Sequence, residues 1–311
     1  MSVSTPTTNP LVATPGRRVA RQFLGPALPY VLHLRPAEWP VIAGHVGLGW
    51  LLASGLQWPD THAWLGIAAW VIGLNGGTLA LNSAYDHDEG DIAYLRQPPP
   101  PPVGLALVGV GLMAIGFAAT WDFGHTWRML YGACVVLSIC YSVPPLRLKR
   151  VGGVDWLINV IGFGMLTIWA GWEISGRPLE FNYLLIFIGF APLFGALYPL
   201  TQLYQIDTDR SHGDQTLAVR LGVSQSLRLS ILLVGVAFAV FLGAARQSVW
   251  PSVPGLRWTV IAVAFMAWLA VLMPWQREGA GWASHQHQRG MYHALAAWAL
   301  TDVAILLAWV A

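Results

Sequence analysis

Apolar runs separated by short polar breaks fill almost the whole chain. They lie at approximately 38–56, 63–85, 103–121, 127–143, 154–173, 181–204, 227–245, 257–275 and 290–310. A hydrocarbon core about 30 Å thick takes roughly 20 helical residues to cross, and most of these runs are that long. None shows the period-two alternation of a membrane barrel strand, and lipid leaves no backbone polar group unpaired. The pattern predicts an all-α membrane protein with nine transmembrane helices.

Composition supports this reading. Of 311 residues, 55% are hydrophobic and only 10% are charged, against about 25% charged in a soluble domain. Seventeen tryptophans suit a chain whose indoles gather at the membrane–water interface. A net charge of +2 gives no reason to expect nucleic acid. Cys134 and Cys140 share one span at a spacing that fits neither a disulfide nor a metal site, and read as buried thiols. Residues 1–30 form a Thr/Pro/Asn-rich tail with Arg17, Arg18 and Arg21. Its Phe23–Leu34 stretch is broken by Pro26 and Pro29 and has no small-residue cleavage site after it, so no signal peptide is read. Residues 31–311 read as a single domain.

Charge placement orients the spans. The amino terminus and the loops after spans 2, 4, 6 and 8 carry thirteen of the seventeen basic residues; the opposite side has Arg128, Arg177, Arg246 and Arg257. Positive-inside bias puts the first set in the cytoplasm and, with nine spans, the carboxyl terminus outside.

Two acidic clusters then share that cytoplasmic face. The first, Asn82 to Asp91, holds Asp86, Asp88, Glu89 and Asp91; the second holds Asp207, Asp209 and Asp214. Like charges this dense at a helix mouth need a neutraliser, and oxygen ligands suit Mg²⁺. Asn82 and Asp86 project from one helical face, with Gly90 placed to end that helix. Gln202, Gln205 and Asp209 share another face, and Asp207 sits beside them with Tyr204. The clusters end the second and sixth spans, so spans 1–4 and 5–8 read as two pseudo-related four-helix halves followed by a final helix. Pro98 to Pro102, after Gln97, predict a stiff polyproline connector into span 3.

A third element closes span 4. The run Tyr141-Ser-Val-Pro-Pro-Leu-Arg147-Leu-Lys149-Arg150 contains the only lysine in the chain. Lysine binds phosphate as a point charge and arginine forks onto two oxygens. Acids for a metal and bases for phosphate, all at one membrane face, describe a diphosphate site.

These segments resemble the UbiA superfamily of intramembrane prenyltransferases. Asn82 and Asp86 match the start of its N-x-x-x-D-x-x-x-D motif, and the Tyr141–Arg150 run looks like its Y-S-x-P-P-L-R-L-K segment. Asp209-Arg210 through Gly213, with Thr216 to Gly222, is similar to the end of its second motif, D-x-x-x-D. Arg96 and the Arg35-Pro36 pair fit as well. Two positions depart: Gly90 stands where an aspartate is expected, flanked by Asp88 and Asp91, and Gln205 stands at another, with Asp207 two residues on.

The resemblance implies nine helices around a central cavity and transfer of an isoprenyl group from a prenyl diphosphate to a lipophilic acceptor such as a quinone precursor, tetrapyrrole or carotenoid. It implies Mg²⁺ held by Asn82, Asp86, Asp88 and Asp209, helped by Asp207 or Asp91. Arg96, Arg147, Lys149 and Arg210 are expected on the diphosphate. Tyr141, with Tyr85, Tyr198 or Tyr204, is expected to face an allylic carbocation. The same resemblance places Asp155 and Asn159 near the basic turn, where they would orient Lys149. Two alternatives remain. A terpene cyclase of the same family would ionise the donor without an acceptor. A cation transporter would use Asp155, Asn159, His293 and Asp302 as a relay. His285-Gln-His287 reads as loop.

Overall fold

The computed structural model describes residues 14–86, 95, 97–211, 213, 215–247 and 254–310. Among them every regular element is helical. An amphipathic helix α1 (Pro15–Leu24) and a short α2 (Leu28–His33) precede α3 (Trp39–Ser54). Then come α4 (Thr61–Asp86), α5 (Leu105–Ala119), α6 (His125–Ser142) and α7 (Val154–Glu173). The chain continues as α8 (Phe181–Ser211), α9 (Leu217–Gln247), α10 (Pro254–Glu278) and α11 (Ser284–Val310). Six of these, α4 and α7 to α11, are long and apolar enough to cross a membrane.

Local chemistry explains the helix ends and bends. Asp60 caps α4 by accepting the Ala63 amide at 2.8 Å, and Thr14 caps α1 by accepting the Arg17 amide. Pro199, inside α8, has no N–H for the Gly195 carbonyl, which accepts from the Trp156 indole at 2.9 Å instead. The proline run 98–102 is equally short of donors, and α1 and α2 strap it down. Arg17 donates to the Gln97 carbonyl at 2.9 Å, His33 to that of Pro99 at 3.0 Å and Tyr30 to that of Val103 at 2.7 Å. The polyproline connector is thus a fixed part of the amino-terminal face.

Three boundaries differ from the hydropathy reading. Helix α8 runs on to Ser211, so Asp207 and Asp209 are helical. Helix α9 begins at Leu217, ten residues early, with a break at Gly222 (φ 69°, ψ 173°). Helix α11 begins at Ser284, which places His285 and His287 in its first turn rather than in a loop. The side chain of Gln286 accepts the Ala283 amide there at 2.8 Å, which supports this start. Charged or polar residues mark where a helix leaves the bilayer, not where it ends.

Small residues let helices close. At Gly49 in α3 and Gly171 in α7 each helix approaches the other's backbone, Ile168 and Val46 carbonyls respectively, too closely for any Cβ. Gly77 in α4 and Gly109 in α5 repeat the device. The larger apolar core gathers α3 and α7 to α11 around Phe187, Phe190, Phe241, Trp172, Trp268 and Trp275. A second joins α3 to α7 around Trp70, Trp127 and Tyr131.

Two π-helical sections interrupt the α geometry, Ala69–Gly76 in α4 and Val160–Leu166 in α7. Such sections are rare and frequent at functional sites. Both contribute residues to one internal cavity.

Candidate active site

That cavity has a volume of about 1250 Å³ and is walled by α3, α4, α6, α7, α8 and α11. Asn82, Asp86, Arg147, Lys149 and Asp209 are among its lining residues, and Leu74, Leu137, Phe163, Phe194 and Trp298 give it apolar surface. Apolar walls lower the local dielectric and strengthen the charge interactions beside them.

The polar end is built from three elements. Helix α4 supplies Asn82, Tyr85 and Asp86 on one face. The turn after α6 supplies Arg147 and Lys149. It holds Arg147 in the left-handed region (φ 36°, ψ 54°), a conformation unfavourable for a residue with a Cβ. Lys149 Nζ sits directly on Asp86 Oδ1, and Arg147 reaches the same oxygen at 3.3 Å. Lys149 also donates to Asn82 Oδ1 at 3.5 Å, as does Ser142 Oγ at 3.4 Å. The third element, the end of α8, brings Asp209 to the wall, where Thr216 donates to it at 3.3 Å.

Behind the turn lies a buried brace. Asp155 is fully buried and accepts the Gly153 amide at 2.8 Å and Gln202 Nε2 at 3.2 Å. Gln202 in turn accepts the Ala218 amide at 3.2 Å. Asp155 therefore fixes the backbone that follows Lys149, and through it the turn that carries this side chain. Asn159 donates to the Asp155 carbonyl and also lines the cavity. On the aromatic side, the Tyr141 and Tyr198 hydroxyls meet at 3.0 Å, and Tyr85 and Tyr204 share the cavity with them.

Other expected residues lie elsewhere. Asp207 is 92% exposed and pairs with Arg210 at 3.3 Å, outside the cavity lining. Asp88, Asp91, Arg96 and Asp214 lie outside the described residues. His287 accepts from the Trp275 indole at 3.0 Å and is a packing residue, whereas His285 lines the cavity. Asp302 pairs with His45 at 3.1 Å between α11 and α3, which accounts for a membrane acid without a relay. Sequence reasoning passed over His45, Asn75 and the Thr78–Ser138 hydroxyl pair (2.8 Å), all on the cavity wall. Each is a polar side chain inside an apolar span, which a mean hydropathy does not register.

Among the described residues no three of His, Cys, Asp and Glu converge to hold a metal ion. Asn82, Asp86 and Asp209 are nevertheless oxygen donors on one cavity. That donor set fits Mg²⁺, which keeps several ligands from water and substrate phosphates rather than from a complete protein cage.

The family model described as "UbiA prenyltransferase family" matches residues 39–298. The chain belongs to this family. With its apolar helices, membership makes it an integral membrane protein. The fold is similar to a UbiA homologue from Archaeoglobus fulgidus bound to GPP and Mg²⁺, at a TM-score of 0.65 and 16% identity over 89% of this chain and 99% of that one. By sequence the chain is similar to "Probable homogentisate phytyltransferase 2, chloroplastic" of Oryza sativa subsp. japonica, at 28% identity over 68% of this chain and 60% of that protein. It is also similar to a 2-carboxy-1,4-naphthoquinone phytyltransferase of Synechocystis, at 27% identity over 54% and 52%. The chain thus spans between half and three fifths of the length of these two curated relatives.

Proposed function

We propose that this protein transfers a prenyl group from a prenyl diphosphate to a lipophilic acceptor, with Mg²⁺ as cofactor. The observation that carries the reading is the cluster of Asn82, Asp86, Arg147 and Lys149 on a cavity that Asp209 also lines and that offers apolar surface besides. A diphosphate needs cations and metal ligands together; a prenyl tail needs a dry channel.

Asn82, Asp86 and Asp209 would hold the metal, which supplies charge neutralisation to the diphosphate. Lys149 and Arg147 are placed to bind the phosphate oxygens and to stabilise the charge that develops on them. The allylic C–O bond breaks with its electron pair going to the diphosphate. The acceptor supplies the pair for the new bond and gives up a proton. Tyr141 and Tyr198, paired through their hydroxyls, offer ring faces to the cationic fragment, each worth roughly 0.5–2 kcal/mol. Apolar walls keep water from capturing it.

The same proposal extends to architecture. Helices α3–α6 and α7–α10 form two four-helix halves, with α11 as the ninth span and the amino terminus in the cytoplasm. Support comes from the acidic residues ending α4 and α8, the second helix of each half, and from the bias of arginines toward the loops on that side.

The test is product mass from membranes containing the protein, supplied with prenyl diphosphates of several lengths and Mg²⁺. Asp86→Ala should abolish prenylated product; a variant with full activity would reject the assignment. Release of a terpene hydrocarbon or alcohol without any acceptor would instead identify a cyclase.

A further inference from the structure

Residues 1–37 hold Arg17, Arg18, Arg21 and Arg35 and no acid; the first carboxylate of the chain is Glu38. Three of these arginines lie on α1, and both ends of that helix are closed. Thr14 accepts the Arg17 amide, and Gly25 (φ 50°) donates its amide to the Arg21 carbonyl. The faces of α1 differ in chemistry. Arg17 is buried and reaches the Gln97 carbonyl. Val19 and Phe23, four residues apart and so on one face, point away from that contact and are 54% and 83% exposed. Arg18 and Arg21, three apart, share a flank and are exposed as well.

The neighbours of α1 show what that outer face meets. Helix α1 contacts α2, and Tyr30 of α2 donates to the Val103 carbonyl, two residues before the apolar helix α5 begins at Leu105. Val103 is itself 95% exposed. The strap thus holds α1 beside the point where an apolar helix of this integral membrane protein enters lipid. A helix of ten residues is marginal in water on its own, and one with a basic and an apolar face is stable lying in the plane of a membrane surface.

We propose that α1 is an interfacial helix that docks on anionic phospholipid. Val19 and Phe23 enter the acyl boundary, and the Arg18 and Arg21 guanidiniums fork onto headgroup phosphates. Charge complementarity selects the lipid: two exposed cations in a segment without a carboxylate match a surface of net negative charge, and a zwitterionic one leaves them unanswered. Docking there also anchors the outer side of the strap that holds the proline run.

The experiment uses the full chain in nanodiscs carrying one copy each, made of phosphatidylcholine alone or with phosphatidylglycerol as about a third of the lipid. Amide hydrogen exchange over α1 is read by mass spectrometry. Each arginine at an anionic surface contributes about fivefold to binding, so exchange over α1 should be about tenfold slower in the mixed discs. In the Arg18→Gln/Arg21→Gln double variant, and in the parent protein at high salt, that difference should fall below about twofold. Phe23→Ser should speed exchange over α1 in the mixed discs, while α10 and α11 keep the parental rate and report an intact fold. Equal exchange over α1 in the two lipids overturns the inference, as does a difference that survives in the double variant. Slow exchange in detergent equal to that in the mixed discs overturns it too, because the surface covering α1 would then belong to the protein.

Discussion

Asp155 and Gln202 meet at 3.2 Å in the buried wall between α7 and α8. Each spends its remaining oxygen on a backbone amide, Gly153 for Asp155 and Ala218 for Gln202. One pair of side chains thereby ties the turn carrying Lys149 to the start of α9. Asp155→Ala strands the Gly153 amide and the Gln202 amide group together. The loss should be about 2–3 kcal/mol, since two buried donors are left without a partner. Thermal unfolding of the purified protein checks the stability, and donor KM checks whether the Lys149 turn has moved. Asp155→Asn, which keeps the shape, should cost clearly less on both measures.

Lys149 sits against Asp86 and Asn82 at once, a position that a compact ammonium fills and a planar fork does not. Lys149→Arg should therefore fail to restore activity. Both Lys149→Arg and Lys149→Met should lower kcat/KM for the prenyl diphosphate by about a hundredfold, in the range found for removal of one charge-stabilising donor. Steady-state kinetics in membranes decides this. An arginine variant with parental kcat/KM would remove Lys149 from the diphosphate site.

The basic turn and the Asn82–Asp86 pair were legible in the sequence because both use short spacings on elements whose ends are marked, by Pro144 and Pro145 in one case and by the edge of an apolar run in the other. The choice between Asp207 and Asp209 was not. Two residues apart on a helix they point roughly 200° apart, so one faces the cavity and the other faces solvent. Only the packing of α8 settles which. Asn75 was hidden for a different reason: one polar residue barely changes the mean hydropathy of a span, and π geometry has no composition of its own. The early start of α9 was masked by Arg220, which read as loop although a helix leaving the bilayer can carry it.

Tyr141 and Tyr198 bridge α6 and α8 through their hydroxyls at 3.0 Å. Removing one hydroxyl deletes that bond but leaves the ring. Tyr141→Phe should therefore cost about 1 kcal/mol of stability and change product yield only a few-fold, because the quadrupole that faces a cation survives. Tyr141→Leu removes the ring and should lower yield at least tenfold. Equal activity in the Phe and Leu variants would exclude the ring from cation stabilisation.

His33 fixes the amino-terminal helices to the proline run, donating Nε2–H to the Pro99 carbonyl at 3.0 Å. Burial holds its pKa below the usual 6.5, and the Arg35 guanidinium acts in the same direction, against the Pro99 and Pro100 carbonyls. The folded state thus binds this proton less readily than the unfolded chain does. Stability from the neutral imidazole is fully present above pH 6.5 and is lost as pH falls from there through the lowered folded value. The α1–α2 strap should accordingly loosen in mild acid. Limited proteolysis at pH 7.5 and pH 5 should show cleavage near residues 25–35 accelerating at the lower pH in the parent protein. His33→Gln, which can still donate to the Pro99 carbonyl but cannot titrate, should be cut at the same rate at both. Acid-accelerated cleavage that persists in His33→Gln would assign the pH response to another group.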